Sequence, residues 1–310
     1  MDLPVTNSFS SSRVDDNSNA KEKPSTKFKS INLDQEDQSI IRQLPSAKVL
    51  LDSVNPGEVR VITLEVVLHR FVLAEFNTHR VFSRNSASSR AIPIKKVIDK
   101  LKEEGPAYPV EWGKNCPGMS SKSILETNQI EQAEQIWLES MKMMIQQVEK
   151  LGQLGVHKQI ANRLLEPFKW HHCIVTSTEW NNFFQQRIHP DAQPEIRMAA
   201  KAMKQAINES YPKLLKDDEW HMPLLLQEER EDLSLTAQQK ISVARCARVS
   251  YLNHHGVRDI ENDLELYEKL YQADPPHLSP FEHVCRPSKS GEETANLFGW
   301  TPYRKILKNK

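Results

Sequence analysis

The longest hydrophobic pattern in the chain runs from residue 128 to residue 155 and predicts an amphipathic helix. Apolar side chains recur there every three or four residues, as on one face of a helix, and Gly152 and Gly155 end the pattern. We expect the methionines on this face to be core residues, because methionine fills irregular gaps in packing. The apolar positions are Ile130, Ala133, Trp137, Met141, Met144, Val148 and Leu151.

Residues 58–67, "EVRVITLEVV", predict a strand, because Ile62, Leu64 and Val66 alternate with a second set of side chains. Residues 69–80 then have the apolar spacing of a short helix. Alternating strands and helices with long helical stretches predict an α+β fold.

A second long helix is predicted after "RIHP", with Asp191 as its cap and Pro194 in its first turn. Residues 261–274 predict another helix, and residues 240–252 a helix end or a strand. The second long helix has one apolar face, formed by Ile196, Ala200, Met203 and Ile207.

The segments without a clear period divide the chain. Residues 91–126 carry several Pro and Gly and predict an irregular excursion, and the charged residues 212–238 predict a linker. Residues 1–45 are poor in apolar side chains and predict a disordered extension. Residues 46–310 are then expected to form a single domain.

Composition narrows the class of protein. The 310 residues include 41 basic and 41 acidic side chains, and a net charge of zero argues against a nucleic-acid binder. No apolar run is long enough for a membrane span, and the first residues lack the apolar core of a secretory signal. The dispersed cysteines form no CxxC motif, so we expect a cytoplasmic protein with free thiols. They are Cys116, Cys173, Cys246 and Cys285.

The string "FNTHRVFSRNSASSR" (76–90) is the strongest candidate for chemistry. It places Arg80, Arg84 and Arg90 among five hydroxyl side chains, and guanidinium groups and hydroxyls together suit a phosphorylated ligand. No GxGxxG or GxxxxGK[ST] motif is present, so side chains rather than a glycine-rich loop must hold phosphate.

Other strings are ambiguous on their own. His171 and His172 in "WHHC" would point to opposite faces of a strand, so no metal site is expected. Residues 180–197 combine amides with aromatic rings, which fits either a base pocket or a polar helix face. "HLSPFEH" (277–283) fits either a functional site or a capped helix start.

Four strings together resemble the flavin-dependent thymidylate synthases. "THRVFSRNSAS" is similar to the family signature of Arg-His-Arg, seven residues and Ser, and retains His79, Arg80 and Ser88. "FFQQRIHPDAQPEIR" resembles the family's "FL-x-LR…AQWEIR" segment. "ARCARVSY" resembles its "ARVS" strand, and "HLSPFEH" resembles its "H-x-TPFEH".

The order of these strings differs from that of the family, in which the "ARVS" and "TPFEH" pieces come first. The chain therefore resembles a circular permutation, cut after "PFEH" and before "EVRVITLEVV". Because permutation is tolerated where the original ends are neighbours, residues near 284–290 should lie close to residues near 55–60.

The resemblance implies a central mixed β-sheet flanked by long helices, and an enzyme that methylates dUMP to dTMP. It also implies FAD as cofactor, NADPH and methylenetetrahydrofolate as co-substrates, and a homotetramer with shared sites. Ser88 and Arg187 would be catalytic. The substrate-binding set would be Glu75, Ser86, Ser88, Arg90, Arg163 and Arg187. The cofactor-binding set would be His79, Arg80, Asn182, Ser250, His277 and Ser279.

Several positions depart from the family pattern. Thr78 replaces the first Arg of the signature, Ser86 replaces a Glu, and Glu75 replaces a Gln. Thr176 and Thr178 replace the family's Asn-x-Arg. These changes leave two alternatives open: a pyrimidine nucleotide hydroxymethylase or methylase with altered chemistry, and a non-catalytic nucleotide-binding homologue.

Overall fold

The strand predicted from Ile62, Leu64 and Val66 is the centre of a five-stranded mixed sheet. The structure, a computed structural model, describes residues 42–249 and 259–307. The strand order is β3-β4-β2-β1-β5; β1 pairs with β5 in parallel, and the other pairs are antiparallel. A separate hairpin pairs β6 with β7. The strands are β1 (Ser46–Val54), β2 (Arg60–His69), β3 (Ser83–Ser86), β4 (Trp170–Ser177), β5 (Lys213–Leu214), β6 (Cys285–Pro287) and β7 (Trp300–Pro302).

Helices flank this sheet, which confirms the predicted α+β class with long helices around a mixed sheet. Two 3-10 helices bear on the site, Asn162–Phe168 and Pro280–Glu282. The α-helices are α1 (Leu73–Asn77), α2 (Ile94–Glu104), α3 (Thr127–Gln153), α4 (Lys158–Ala161), α5 (Asn181–Arg187), α6 (Pro194–Asn208), α7 (Gln227–Asp232), α8 (Leu235–Ala247), α9 (Ile260–Tyr271) and α10 (Tyr303–Leu307).

The sheet has two faces of different character, because side chains alternate along each strand. On one face, Leu64 pairs with Val175 across β2 and β4, and α6 packs against this apolar layer. On the other face, Thr63 pairs with Thr176, and both side chains are completely buried. A polar layer thus lies beneath one face of the central strands.

The two long amphipathic helices are confirmed as α3 and α6. Met141 is buried between α3 and its neighbours, as expected for a core methionine. Pro194 does begin α6, but the N-cap is Gln193 without a side-chain cap, so the predicted Asp191 cap is wrong. Proline fits the first helical position, which leaves Asp191 too far upstream to cap it.

Two segments predicted to be irregular contain regular elements, although residues 105–126 hold no named helix or strand. Residues 91–126 contain α2, whose buried Val97, Ile98 and Leu101 pack against α3. Residues 212–238 contain β5 and α7 and bury His221, so the linker prediction is wrong. Both segments have charged outer faces, and that charge obscured their few buried positions.

The ends predicted to adjoin after permutation are neighbours. Cys285 packs in one cluster with Val59, Val61 and Trp300, and Nε1 of Trp300 donates to the carbonyl oxygen of Val59 at 3.1 Å. Nδ2 of Asn55 donates to the carbonyl oxygen of Gly299 at 2.9 Å. The predicted proximity is therefore confirmed.

Most of the predicted extension, residues 1–41, lies outside the described residues. Arg42 is described; its guanidinium pairs with Glu134 and lies 5.0 Å from the ring centre of Tyr108. Within residues 42–249 and 259–307, no helix is long and apolar enough to cross a membrane.

Candidate functional site

Arg187, the last residue of α5, contacts three residues at the end of α1. Its Nε donates to Nε2 of His79 at 2.9 Å, and its Nη2 donates to Oγ1 of Thr78 at 3.1 Å. The same Nη2 donates to the carbonyl oxygen of Glu75 at 3.4 Å. We call Glu75, Thr78, His79 and Arg187 the Arg187 group. Residues far apart in sequence, Glu75 and His79 on one side and Arg187 on the other, are thus brought into direct contact.

His79 is a neutral hydrogen-bond acceptor within this group. Burial, and then the charges of Arg187 and Arg84, lower the pKa of His79 to about 4. Because a guanidinium only donates, Nε2 of His79 is unprotonated and Nδ1 carries the proton. The ring lies edge-on to Phe183, with centroids 4.8 Å apart, and this contact restrains its orientation.

The carboxyl group of Glu75 is the unusual feature of the Arg187 group. Its Oε2 is buried and has no hydrogen-bond partner among the described residues. A buried acceptor without a partner normally signals a missing water or ligand. Glu75 therefore offers an acceptor for a ligand beside the donors of Arg187.

A second set of contacts centres on Glu166, in the 3-10 helix after α4. Oε1 of Glu166 accepts from Arg163 at 2.6 Å, Ser89 at 2.8 Å and Arg70 at 3.2 Å. Burial acts to raise the pKa of Glu166, but the Ser89 hydrogen bond and the two guanidinium charges outweigh burial, and the pKa is lowered. We call Arg70, Ser89, Arg163 and Glu166 the Glu166 cluster.

The segment 75–90 connects these two sets of side chains. Its beginning supplies Glu75 and His79 to the Arg187 group, and its end supplies Ser89 to the Glu166 cluster. Between them, β3 pairs with β4, and the 3-10 helix Pro280–Glu282 packs against β3. The "PFEH" string therefore lies beside the strand of the signature segment, as the resemblance requires.

Buried hydrogen bonds join the sheet to His283 of that string. Oγ1 of Thr176 lies 2.7 Å from Nδ1 of His283 and 2.7 Å from Oγ1 of Thr63. Thr63 in turn lies 2.8 Å from Nε2 of His221, whose Nδ1 lies 2.9 Å from Oγ of Ser53. Burial lowers the pKa of both His221 and His283 to about 3, so both rings are neutral near pH 7. We call these five residues the buried polar chain.

Two departures from the family pattern have partners here. Thr78, in place of an arginine, accepts from Arg187. Thr176, in place of an asparagine, links Thr63 to His283. A third departure, Thr178, has a buried hydroxyl without a partner among the described residues.

The other predicted site residues that the structure describes lie at the surface. The described contacts bring neither His277 nor Ser279 to the Arg187 group. Ser250 lies outside the described residues. The exposed residues are Arg80, Ser86, Ser88, Arg90, Arg163, Asn182, His277 and Ser279.

The segment 180–197, considered as a base pocket, lines a small cavity at its beginning. Trp180, Asn181 and Phe184 face Lys204 and Asn208 of α6 across a volume of about 280 Å³. Arg187 does not line this cavity. Trp180 and Phe183 are buried against Phe82, so these aromatic rings belong mainly to the hydrophobic core.

Sequence reasoning missed Glu166, Arg70 and most of the buried polar chain. Glu166 stands three residues after Arg163, a spacing that places two helical side chains together, and this signal was available. Arg70 and His221 offered no such signal, because their partners are remote in sequence.

The family model "Thymidylate synthase complementing protein" matches residues 7–213, about two thirds of the chain. The chain therefore belongs to this family. The "ARVS" and "PFEH" strings lie beyond the matched span.

Two solved structures are among the chain's structural neighbours. Both are of the UMP/dUMP methylase PolB from Streptomyces cacaoi, one with 5-Br UMP and one with 5-Br dUMP. Their TM-scores are 0.45 and 0.42, and each shares 15% sequence identity with the chain. They cover 54% of this chain and 90% and 91% of their own, respectively. No curated protein sequence matches the chain significantly.

Proposed function

We propose that the protein is an FAD-dependent thymidylate synthase that methylates dUMP with methylenetetrahydrofolate and NADPH. Family membership supports this assignment, and the Arg187 group is the observation that carries it. A chain that had lost catalysis would have no reason to keep a half-buried guanidinium bonded to a neutral histidine. Ser88 and Arg187 are the proposed catalytic residues.

Arg187 is suited to the edge of a pyrimidine ring. Its Nε and Nη2 are occupied, and its Nη1 has no partner among the described residues. A donor held in place by three protein acceptors can stabilise negative charge on a ring carbonyl without reorganising. Glu75, Ser86, Ser88, Arg90 and Arg163 complete the proposed substrate site.

We propose FAD as the cofactor, and two unpartnered polar atoms support it. Asn85 Oδ1 and Thr178 Oγ1 are buried without partners in the described part of the chain, as expected of elements that meet a ligand rich in polar atoms. His79, Arg80, Asn182, Ser250, His277 and Ser279 are the proposed FAD-binding residues. FAD supplies the redox chemistry when it is bound. The protein's part is to hold the neutral His79, with its proton on Nδ1, against the fixed Arg187.

A second candidate is a methylase or hydroxymethylase acting on another pyrimidine nucleotide. The unpartnered carboxyl oxygen of Glu75 supports it. The family has a glutamine at this position, whose amide both donates and accepts hydrogen bonds, whereas a carboxylate only accepts them and so selects a ligand that donates. A non-catalytic nucleotide-binding homologue is the third. We further propose a homotetramer, a cytoplasmic location and a single permuted domain over residues 46–310.

The visible absorption spectrum of the purified protein tests the proposal, before and after anaerobic NADPH, with and without dUMP. We expect a flavin band that bleaches faster with dUMP, and a product with the mass of dTMP. A hydroxymethylated product would favour the second candidate. Absence of a flavin band even after FAD is added would reject both enzymatic assignments.

A further inference from the structure

Arg84 of β3 reaches back to the end of α1. Its Nη1 donates to the carbonyl oxygen of Phe76 at 3.2 Å and to the carbonyl oxygen of His79 at 3.3 Å. The backbone acceptors at a helix end lack the partners that a continuing helix would supply, and an arginine side chain can take their place. Arg84 therefore restrains the backbone of His79 where the chain leaves α1 and turns towards β3.

The guanidinium of Arg84 is half-buried, yet it forms no ion pair with a carboxylate in residues 42–249 and 259–307. Burial lowers the pKa of Arg84, and the charge of Glu282 is among those that act in the opposite direction. Glu282 is itself paired with Arg304. A half-buried guanidinium without a bonded carboxylate is unfavourable, so its two backbone contacts point to a role other than ion pairing.

His79 is thus restrained at two points by arginines. Arg187 donates to Nε2 of the ring at 2.9 Å, whereas Arg84 donates to the backbone carbonyl of the same residue. The rings of Phe183 and Phe82 lie against the imidazole, with centroids 4.8 and 5.9 Å away. The backbone position and the ring orientation of His79 therefore have separate determinants, and Nε2 faces Arg187 only when both are correct.

The same two arginines keep the ring of His79 neutral. Burial, then the charge of Arg187 on α5 and then that of Arg84 on β3, lower the pKa of His79 to about 4. The remaining charged side chain of the Arg187 group is Glu75, one turn earlier on α1. A neutral ring can accept from Arg187 at Nε2, whereas a protonated ring cannot. Loss of the Arg84 charge should therefore make the ring easier to protonate and weaken its contact with Arg187.

We propose that Arg84 is a positioning residue, which holds His79 in place as the hydrogen-bond acceptor of Arg187. Neither the proposed substrate-binding set nor the proposed cofactor-binding set includes Arg84. The inference rests on the proposed function only where turnover is measured. It gives the third arginine of residues 76–90 a role in the geometry of the site rather than in direct contact with a phosphorylated ligand.

The test follows the protonation of His79 by nuclear magnetic resonance in the full-length protein as purified, over the acid range in which it stays folded. Arg84→Met keeps an unbranched stem and removes the charge. Arg286→Met is the matched control, because Arg286 also lies in a strand and donates to a backbone carbonyl, that of Pro287. We expect the pKa of His79 to rise from about 4 towards 6.5 in Arg84→Met and to stay unchanged in Arg286→Met. An unchanged pKa of His79 in Arg84→Met would overturn the proposal.

A second variant separates positioning from general structural support. Because the single nitrogen Nη1 makes both bonds, the ammonium of Arg84→Lys can replace it and keeps the charge. We expect kcat to fall by at least about tenfold in Arg84→Met and by less than about threefold in Arg84→Lys, with the KM for dUMP little changed in both. Failure of the lysine to restore turnover, or a lower thermal midpoint with no change in the pKa of His79, would contradict the positioning role.

The resonance measurements do not depend on the proposed enzyme. A protein that binds no flavin, but in which Arg84→Met raises the pKa of His79, would reject the proposed enzyme and keep this inference. An active flavoprotein in which Arg84→Met leaves that pKa unchanged would keep the enzyme and reject the inference.

Discussion

At the scale of single residues, the contacts of Arg187 explain how the chain accommodates Thr78 where the family has an arginine. The shorter side chain leaves room for Nη2 of Arg187, and its hydroxyl accepts a hydrogen bond from it. A second arginine at position 78 would instead place two guanidinium charges side by side, and both would compete for the single acceptor nitrogen of His79. The substitution is thus compensated locally.

Replacing Arg187 with lysine should separate positioning from charge. Lysine keeps the charge but cannot donate along two fixed directions to His79 and Thr78, so we expect dUMP turnover to fall by at least about tenfold. The thermal midpoint should change little, because Arg187 is half-buried. Steady-state kinetics measure the effect. Arg197→Lys is the control, since Arg197 bonds Glu111 and the carbonyl of Pro190 away from this group.

Glu75 is the other residue whose chemistry can be isolated. We hypothesise that its carboxyl replaces the carboxylate that the family has at position 86. Glu75→Gln, which keeps the shape and removes the charge, should then cut turnover sharply, by about tenfold or more. Kinetics with dUMP and with dCMP are the measurement, and unchanged rates with dUMP would sink the hypothesis.

At the scale of elements, the buried polar chain fixes "PFEH" against the sheet. Thr176 is its link between β2, β4 and His283. Thr63, His221 and Ser53 extend the chain to β1. Because each member is buried, the buried polar chain fixes the orientation in which the 3-10 helix packs on the sheet and also contributes to the stability of that packing.

Thr176→Val removes this link without changing the shape of the side chain. It leaves Nδ1 of His283 buried without a partner, so the free energy of unfolding should fall by about 1–3 kcal/mol. Urea denaturation measures it. Thr236→Val on the exposed side of α8 should stay within about 0.5 kcal/mol, and an equal loss in both variants would contradict the role given to Thr176.

A buried ion cluster joins α7, α8 and α9. Arg245 of α8 donates to both oxygens of Glu229, at 2.6 and 2.5 Å, and to Oδ2 of Asp263 at 2.8 Å. These side chains are at most 9% exposed. The cluster holds the "ARCAR" string in place just before the residues that the resemblance assigns to the cofactor.

Arg245→Met should be among the most destabilising single changes. It removes the cation that Glu229 and Asp263 share and leaves Arg248, 3.1 Å from Asp263, as the remaining cation of the cluster, so we expect a cost of about 3–5 kcal/mol in the free energy of unfolding. Lys269→Met is the comparison, because it breaks only an exposed pair with Glu265, worth about 0–1 kcal/mol. Chemical denaturation of both variants distinguishes a structural cluster from an ordinary surface ion pair.

At the scale of the whole molecule, neutral buried histidines make stability depend on pH. His221 and His283 have pKa values near 3 in the folded chain and near 6.5 when unfolded. The unfolded state binds their protons first as pH falls below about 6.5, so their contribution is complete above that value and declines towards pH 3.

The free energy of unfolding should accordingly fall by about 2–4 kcal/mol between pH 7 and pH 5. Urea denaturation at the two values measures the change. Proton resonances assigned to His221 or His283 that titrate near pH 6 in the folded protein would contradict this account.

The arrangement of the whole chain also bears on its permuted order. Asn55 and Val59 contact the hairpin that follows "PFEH", through Gly299 and Trp300. A family ancestor with its strings in the usual order could therefore be joined and cut here with little change to the core. Permutation itself remains a proposal.

The sequence by itself determined the periodic elements and the chemical classes at the site. α3, α6 and β2 were predictable because their apolar periods follow from local geometry, and motifs singled out His79, Arg80 and Arg187 as candidate site residues. Only the tertiary structure decided that Arg187 meets His79, that Glu166 gathers Arg70 with Arg163, and that His221 is buried. Such contacts join residues remote in sequence, and burial and hydrogen-bond partners are set by how the sheet and helices pack.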